Sequence, residues 1–290
     1  MLSMQLDNNK FLGEIPQIYE ELTTIVTLSL SGNKLKGPVK DIFSNMSALR
    51  VLMLNNNSLE STLPASLAKC TKLVYFDVSG NQISGTLPKF KGLENLEYFR
   101  VSRNQMVGTI PSGMFTNEFK SNISVLKSLD LAENSFSGPM SEFLPSNVNF
   151  TNLEFLSIYN NFFSGPVSLP KNIDNLKYLL LTQNCFTSIN NPQNLCHAKN
   201  LTILHMGVLY RIFSNKKNQQ SCNQSTSKFH YPFVSGQLNT LSCLFEPGRE
   251  LQGLILTGLG LTGTIPSISN ASKIQTLLLN FNKLTGTLHI

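Results

Sequence analysis

Tyr75, Tyr98, Phe155 and Tyr178 fall at one position of successive short apolar runs, with Ser128 at the same place between them. Two residues further along three of these runs stand Asp77, Arg100 and Asp130, with Arg103 and Glu133 close behind, and Tyr159 follows in the next. Aromatic rings offer large, fairly rigid contact area at low ordering cost, which suits a peptide or a sugar ring. Charges of alternating sign on adjacent strands can hold a polar ligand or simply neutralise one another across the sheet. Both patterns point to multipoint non-covalent recognition. Catalysis has no comparable footing. His197, His205, His230 and His289 lie in no nucleophile or metal-ligand motif, and HExxH, GxSxG and P-loop patterns are absent. The chain therefore reads as a non-enzyme with no cofactor and no metal. His205 reads as an outward, solvent-exposed ring.

Cysteine chemistry is the second possibility. Of five cysteines, none is paired at CxxC spacing, which removes the zinc and thioredoxin-type readings. Cys70 precedes a repeat as a small apolar residue. Cys185, Cys196, Cys222 and Cys243 gather around one irregular region and could form two disulfides in an oxidising compartment. Spacing leaves the pairing open, and the local choice joins Cys185 to Cys196 and Cys222 to Cys243.

The elements that must position these residues come from a repeat, sought first because missing it mis-assigns a fold. LSLSGNKLKGPV from Leu28, FDVSGNQISGTLP from Phe76, FRVSRNQMVGTIP from Phe99 and LLLNFNKLTGTL from Leu277 share the pattern LxxLxLxxNxLxGxIP. Its asparagine recurs at Asn9, Asn33, Asn57, Asn81, Asn104, Asn134, Asn161, Asn184 and Asn282, with gaps of 24, 24, 24, 23, 30, 27 and 23 up to Asn184. In the LxL core Leu28 and Leu30, or Phe76 and Val78, point inward, while Ser29 or Asp77 points outward. Stacked copies pair as a parallel ladder about 4.8 Å apart, so eleven strands extend roughly 50 Å along a concave face. Each asparagine amide both donates and accepts where the chain leaves the ladder and backbone groups would otherwise be buried unpaired. Glycines such as Gly37, Gly85 and Gly138 permit the next bend. Pro16, Pro64, Pro88, Pro111 and Pro266 favour an extended flank.

Repeats of about 24 residues with LxGxIP after the asparagine resemble the plant-type leucine-rich-repeat family, over about 1–206 and 251–290. That family includes the ectodomains of receptor-like kinases and receptor-like proteins, and the polygalacturonase-inhibiting proteins. The resemblance implies a curved right-handed solenoid of about eleven repeats, with a parallel β-sheet on its concave face and loops or 3-10 turns on its convex face. It also implies an extracellular or cell-surface role in signalling or defence, reached through a signal peptide upstream. A peptide, protein or polysaccharide ligand would bind on the concave or lateral surface, with a co-receptor as a further partner. The alternatives are a secreted polygalacturonase inhibitor and an intracellular scaffold. Receptors of this family that capture a peptide C-terminus often carry an R-x-R pair. Arg100 and Arg103 are spaced R-x-x-R, so that role does not transfer.

The pattern breaks once. Leu204 and Leu254 are 50 residues apart, about two periods, and the asparagine position is filled by Leu209 in one flanking repeat and Leu259 in the other. Residues 207–250 are an inserted island or a decayed repeat. From Asn175 to Phe245 there is no acid, while Lys177, Lys199, Arg211, Lys216, Lys217 and Lys228 supply the whole net charge of +6. A solvated insertion or an attraction for an acidic partner fits this region. Nucleic acid is excluded by the lack of aromatic interleaving and motif. No apolar run reaches the roughly eighteen residues of a membrane span. Met1 already opens a repeat without a leader-like stretch, and paired-cysteine caps are missing at both ends, which predicts a truncated solenoid. Seven N-x-S/T sequons, among them Asn45, Asn56 and Asn200, are about as many as chance provides.

Overall fold

The computed structural model describes residues 2–90, 93–115, 124–170, 172–207, 238–269 and 271–287. Among them, eleven three- to five-residue strands form one parallel sheet in strict chain order: Ser3–Gln5, Thr27–Ser29, Val51–Met53, Tyr75–Asp77, Tyr98–Arg100, Ser128–Asp130, Phe155–Ser157, Tyr178–Leu180, Ile203–Gly207, Gly253–Thr257 and Thr276–Leu278. Each strand is too short to be stable alone, and each buries its apolar side only against its neighbours. Leu28, Leu52, Phe76, Phe99, Leu129, Leu156, Leu179, Leu204 and Leu254 are sealed beneath the sheet at 0–1% exposure. At about 1.5–3 kcal/mol for a fully buried side chain of this size, that row is a principal source of cohesion. Phenylalanines from the row and from the segments beneath it pack together. Phe76 and Phe99 stack with centroids 5.3 Å apart, and Phe90 and Phe115 meet Phe99 edge-on at 6.1 and 5.4 Å. Phe136 and Phe143 enclose Phe163 further on.

The asparagines form a continuous spine. Asn134 Nδ2 donates to the carbonyls of Val101, Leu131 and Ala132, and its Oδ1 accepts the Met106 amide at 3.0 Å. Asn57, Asn81, Asn104, Asn161 and Asn184 repeat that pattern, each tying its own bend to the coil before it. Asn33 and Asn282 join it from either side. Asn9 bonds only within its own coil. A second row, not anticipated from the sequence, uses Asn95, Asn152, Asn175 and Asn200, whose amides donate to Thr71, Ser124, Thr151 and Asp174 carbonyls one coil back.

The flank departs from the expected plain extended stretch. Just past the asparagines, Leu12–Gly13, Lys34–Pro38, Ser58–Ser61, Gln82–Gly85, Gln105–Thr109, Ser135–Pro139, Phe162–Ser168 and Cys185–Asn190 pair into a second parallel sheet. The LxGxIP segment uses its backbone groups in a ladder, which satisfies more of them than an isolated polyproline stretch can. The glycine in it is sterically required: a Cβ on Gly85, at φ +75°, would lie 2.6 Å from Thr62 Cγ2. The convex side carries 3-10 turns at Gln17–Glu21, Phe43–Asn45, Ala65–Lys69 and Met140–Glu142.

Across the break, Ile203–Gly207 pairs directly with Gly253–Thr257 in unbroken register, Leu204 against Leu254 and His205 against Ile255. The backbones approach so closely that a Cβ on Gly207 would fall 2.2 Å from the Thr257 carbonyl oxygen, so only glycine fits. Leu259 stands at the missing asparagine's position, buried, with its amide donated to Asn282 Oδ1. Leu209 lies outside the described residues. The neighbour-to-neighbour disulfide pairing is corrected: Cys196, in the short helix Asn194–His197, bonds to Cys243, in the 3-10 segment Leu238–Phe245, with Cα atoms 5.6 Å apart. Spatial adjacency of two successive convex turns wins over closeness in sequence. Cys185 is disulfide-bonded too; Cys222 lies outside the described residues. Arg249 reinforces the junction by donating to the carbonyls of Cys243, Ala198 and Cys196.

Candidate ligand-binding face

The strands turn rows of side chains to the concave side, one residue per coil in each row. In the first, Val51, Tyr75, Tyr98, Ser128, Phe155, Tyr178 and Ile203 are successive register partners. The rings touch in two pairs, Tyr75 with Tyr98 at 5.1 Å and Phe155 with Tyr178 at 5.9 Å. Buried Ser128 divides them, so the aromatic column is two pairs and not one stripe. Arg100 bridges that gap. Its Nη1 donates to the Tyr75 hydroxyl at 3.0 Å and its Nε to Ser128 Oγ at 3.4 Å, with the guanidinium 5.6 and 5.8 Å from the Tyr75 and Tyr98 centroids.

The second row sets Asp77, Arg100 and Asp130 on adjacent strands. Sequence spacing suggests direct neutralisation there, but local partners take the carboxylates instead. Asp77 accepts from the Ser79 hydroxyl and amide at 2.6 and 2.9 Å, and Asp130 from Ser102 Oγ at 2.7 Å and the Ala132 amide at 3.2 Å. Asp77 is 5% exposed, so it is a sunken group and not a displayed one. Burial pushes both acids up from the usual carboxylate range, opposed by those hydrogen bonds and by Arg100. Short-range bonding two residues along the chain outcompetes an ion pair that would have to bend across the sheet.

A third cluster lies where the strands end. Arg103 Nε meets Glu133 Oε1 at 2.9 Å, and Tyr159 donates its hydroxyl to the same oxygen. Burial, then the bond to Glu133, pushes the Tyr159 phenol up to about 12. Arg103 and Glu133 both adopt φ +54°, at the place where other coils use Gly32 or Gly80. Asn8, Asn56, Gln183 and Phe281 take the same backbone at this place, so the conformation belongs to the turn of the repeat.

One row escapes the pattern-based reading altogether. Glu97, Lys127, Glu154 and Lys177 immediately precede the aromatic position, and Lys127 pairs with Glu97 at 2.7 Å and Lys177 with Glu154 at 2.8 Å. The 23–30-residue spacing of the asparagines would have revealed them. Lys177, counted among the excess cations, is thus neutralised. Lys199 is exposed, and Arg211, Lys216, Lys217 and Lys228 lie outside the described residues. So do His230 and His289.

Beyond the Tyr178–Leu180 strand the concave rows change character. Leu180, His205, Ile255 and Leu278 continue the second row, and Ile203, Gly253 and Thr276 the first. His205 is half-buried among them, contrary to the solvent-exposed expectation, and burial lowers its pKa. Elsewhere the one free cysteine among the described residues, Cys70, is fully buried against the Phe43 carbonyl, and burial pushes its thiol up to about 11. A thiol held that far above neutrality does not act as a nucleophile. Among the described residues no group of three His, Cys, Asp or Glu side chains gathers as a metal site, and no helix is long and apolar enough to cross a membrane.

A parallel solenoid with one short concave strand per coil and a bonded asparagine recurring at the bends is a leucine-rich-repeat fold. Residues 23–83 match the family model described as leucine rich repeat, and the similar proteins and structures below support a plant-type repeat. Over 174 residues the chain is 42% identical to Receptor-like protein 41 of Arabidopsis thaliana, spanning 60% of this chain and 17% of that protein. The ectodomain of the Arabidopsis receptor kinase HAESA, solved in complex with an N-terminally extended IDA peptide hormone ligand, is 28% identical with a TM-score of 0.73, over 94% of this chain and 40% of that one. The ectodomain of the Arabidopsis receptor kinase GASSHO1/SCHENGEN3 shares the fold at a TM-score of 0.75 and 23% identity, over 98% and 30%. The chain thus spans a fraction of the length of the proteins it resembles.

Proposed function

We propose that this chain is part of the extracellular ligand-recognition solenoid of a plant receptor-like protein or receptor-like kinase, and that it binds an extended peptide across the concave strands. The observation that carries this reading is the unbroken eleven-stranded concave sheet, whose outward rows of aromatic, charged and apolar side chains recur at one per coil. A peptide laid across strands about 4.8 Å apart, rising about 3.3 Å per residue, meets a new side chain of each row about every one and a half residues. The similarity to a receptor ectodomain solved with a peptide hormone supports the ligand class. The Cys196–Cys243 disulfide suits an oxidising, extracellular compartment. The strands on either side of residues 207–250 pair directly, which supports an insertion over a decayed repeat there; residues 208–237 themselves lie outside the described residues.

The test is selection of a random peptide library on the full chain. Tyr98→Asp combined with Ile203→Asp places charge in both halves of the face, and the selected peptides are expected to lose affinity about tenfold or more. Lys69→Glu on the convex turn leaves binding unchanged. Selected peptides that respond only to the convex change would refute the proposal, as would a selection that yields none.

A further inference from the structure

Binding energy on this face is unevenly distributed. In the half formed by the strands Tyr75–Asp77, Tyr98–Arg100 and Ser128–Asp130, charges already have partners: Glu97 with Lys127, Arg103 with Glu133 and Tyr159, Asp77 with Ser79, Asp130 with Ser102. A ligand group that enters there must displace a bond already made, and its gain is offset by that loss. Among the described residues, the two outward rows of the strands from Phe155–Ser157 to Thr276–Leu278 hold no such charged group. Phe155, Leu180 and Ile203 are half-buried, Tyr178 and Leu278 are 37% and 41% exposed, and Ile255 is sunk between them. At Gly253 the floor has no side chain: Ile203 Cγ1, Ile203 Cγ2 and His205 Nε2 lie 3.7, 3.8 and 3.9 Å from where a Cβ would sit. Apolar surface left open to water on a rigid sheet gains free energy on being covered, at roughly 25 cal/mol per Å².

Resting on the peptide-binding reading above, we infer that the anchor of the ligand is an uncharged, apolar or aromatic segment of an extended peptide. It docks over Phe155, Tyr178, Leu180, Ile203, Ile255 and Leu278, with His205 at its centre making attachment sensitive to acid. Charge complementarity fixes the occupant's chemistry. Across these strands the rows carry no carboxylate and no fixed cation, and the nearest charges, Lys177 and Glu154, satisfy each other. The paired charges on the preceding strands only set the register of whatever part of the peptide extends towards them.

His205 gives the anchor its pH response. The Tyr178–Leu180 strand brings Tyr178, with Lys177 just before it; the Gly253–Thr257 strand and the remainder of Ile203–Gly207 bring no titratable group. No acid among the described residues is therefore placed to stabilise an imidazolium, and burial already holds the ring in its neutral form. An apolar segment laid over it deepens that burial, so protonation and binding exclude each other.

The experiment uses the same random peptide library, selected on the full chain at about pH 7.5, where His205 is neutral. Expected binders are rich in Leu, Ile, Phe and Tyr, and Ile203→Thr with Leu278→Thr, both compatible with a strand, weakens them about tenfold. Their affinity falls severalfold on going to about pH 4.5, and His205→Gln removes most of that fall. Binders with charged segments that are lost with Arg100→Ala and indifferent to the two threonines would overturn the anchor while leaving peptide recognition standing. Affinity falling equally with and without His205 would overturn the pH response. A library that yields no binder removes both this inference and the reading beneath it.

Discussion

Replacing Asn134 with leucine is expected to destabilise the solenoid by about 3–5 kcal/mol, although the side chain keeps its size and stays in an apolar setting. Asn134 is 8% exposed and serves four backbone groups on two coils, the carbonyls of Val101, Leu131 and Ala132 and the amide of Met106. Leucine can neither donate nor accept, so those groups lose a partner away from water, and a stranded amide alone costs about 1–3 kcal/mol. In a repeat protein the damage is local before it is global. Amide hydrogen exchange is expected to accelerate first in residues 101–109 and 128–139, and the midpoint of thermal unfolding to fall by roughly 6–15 °C. Asn9→Leu serves as the contrast. Asn9 is exposed and bonds only to the Leu6 and Asp7 carbonyls, so less than about 1 kcal/mol should be lost. Equal losses at the two positions would mean that the spine contributes little beyond its local turns.

The second large effect concerns the packed phenylalanines. Phe99→Ala is expected to cost about 3–5 kcal/mol, because the surroundings collapse only partly around a missing ring. Phe99 has no exposed surface and touches Phe76, Phe90 and Phe115, the last two edge-on. Phe99→Leu is expected to cost far less, about 1–1.5 kcal/mol, since Leu129 and Leu156 fill the same place in the next two coils. Chemical denaturation of the three proteins measures both. A leucine variant as unstable as the alanine one would mean that the aromatic contacts, and not the filled volume, hold these coils together.

Much of this architecture is readable from residue order because one short pattern is repeated. Period-two alternation at Leu28 and Leu30, or Phe76 and Val78, specifies the concave strands, and the recurring asparagine specifies the bends. The second sheet is harder to foresee. Its strands contain Gly and Pro, as in Lys34–Pro38 and Phe162–Ser168, residues that individually argue against strand. It arises because consecutive coils bring those segments into register, a consequence of stacking and not of local preference. The disulfide follows the same logic, since Cys196 and Cys243 are separated by 47 residues but lie on adjacent turns.

The candidate face was legible in position and less so in interaction. Tyr75, Asp77, Tyr98, Arg100, Asp130, Phe155 and Tyr178 do lie on the concave rows. Alternating charge at Asp77, Arg100 and Asp130 suggested pairing across strands, yet each carboxylate finds a serine or amide two residues away or one coil back. Spacing reports which residues are neighbours. It does not report which of several nearby donors wins, and that contest is decided by reach and burial. The apolar half of the face was missed for a related reason. Leu180, Ile203, Ile255 and Leu278 look like ordinary members of leucine-rich strands, and only the register shows that they stand on the outer side.

The central claim is that one continuous sheet runs through the break, so that residues on both sides of it present a single concave surface. Cysteines introduced as His205→Cys and Ile255→Cys report on this most directly, because these positions are register partners on neighbouring strands. At a separation within the roughly 4.4–6.8 Å that a disulfide accepts, mild oxidation is expected to link them, and peptide mapping to recover the 205–255 cross-link in high yield. If the two thiols remain free while Cys196 and Cys243 are bonded, the strands are not adjacent, and the continuous face does not exist.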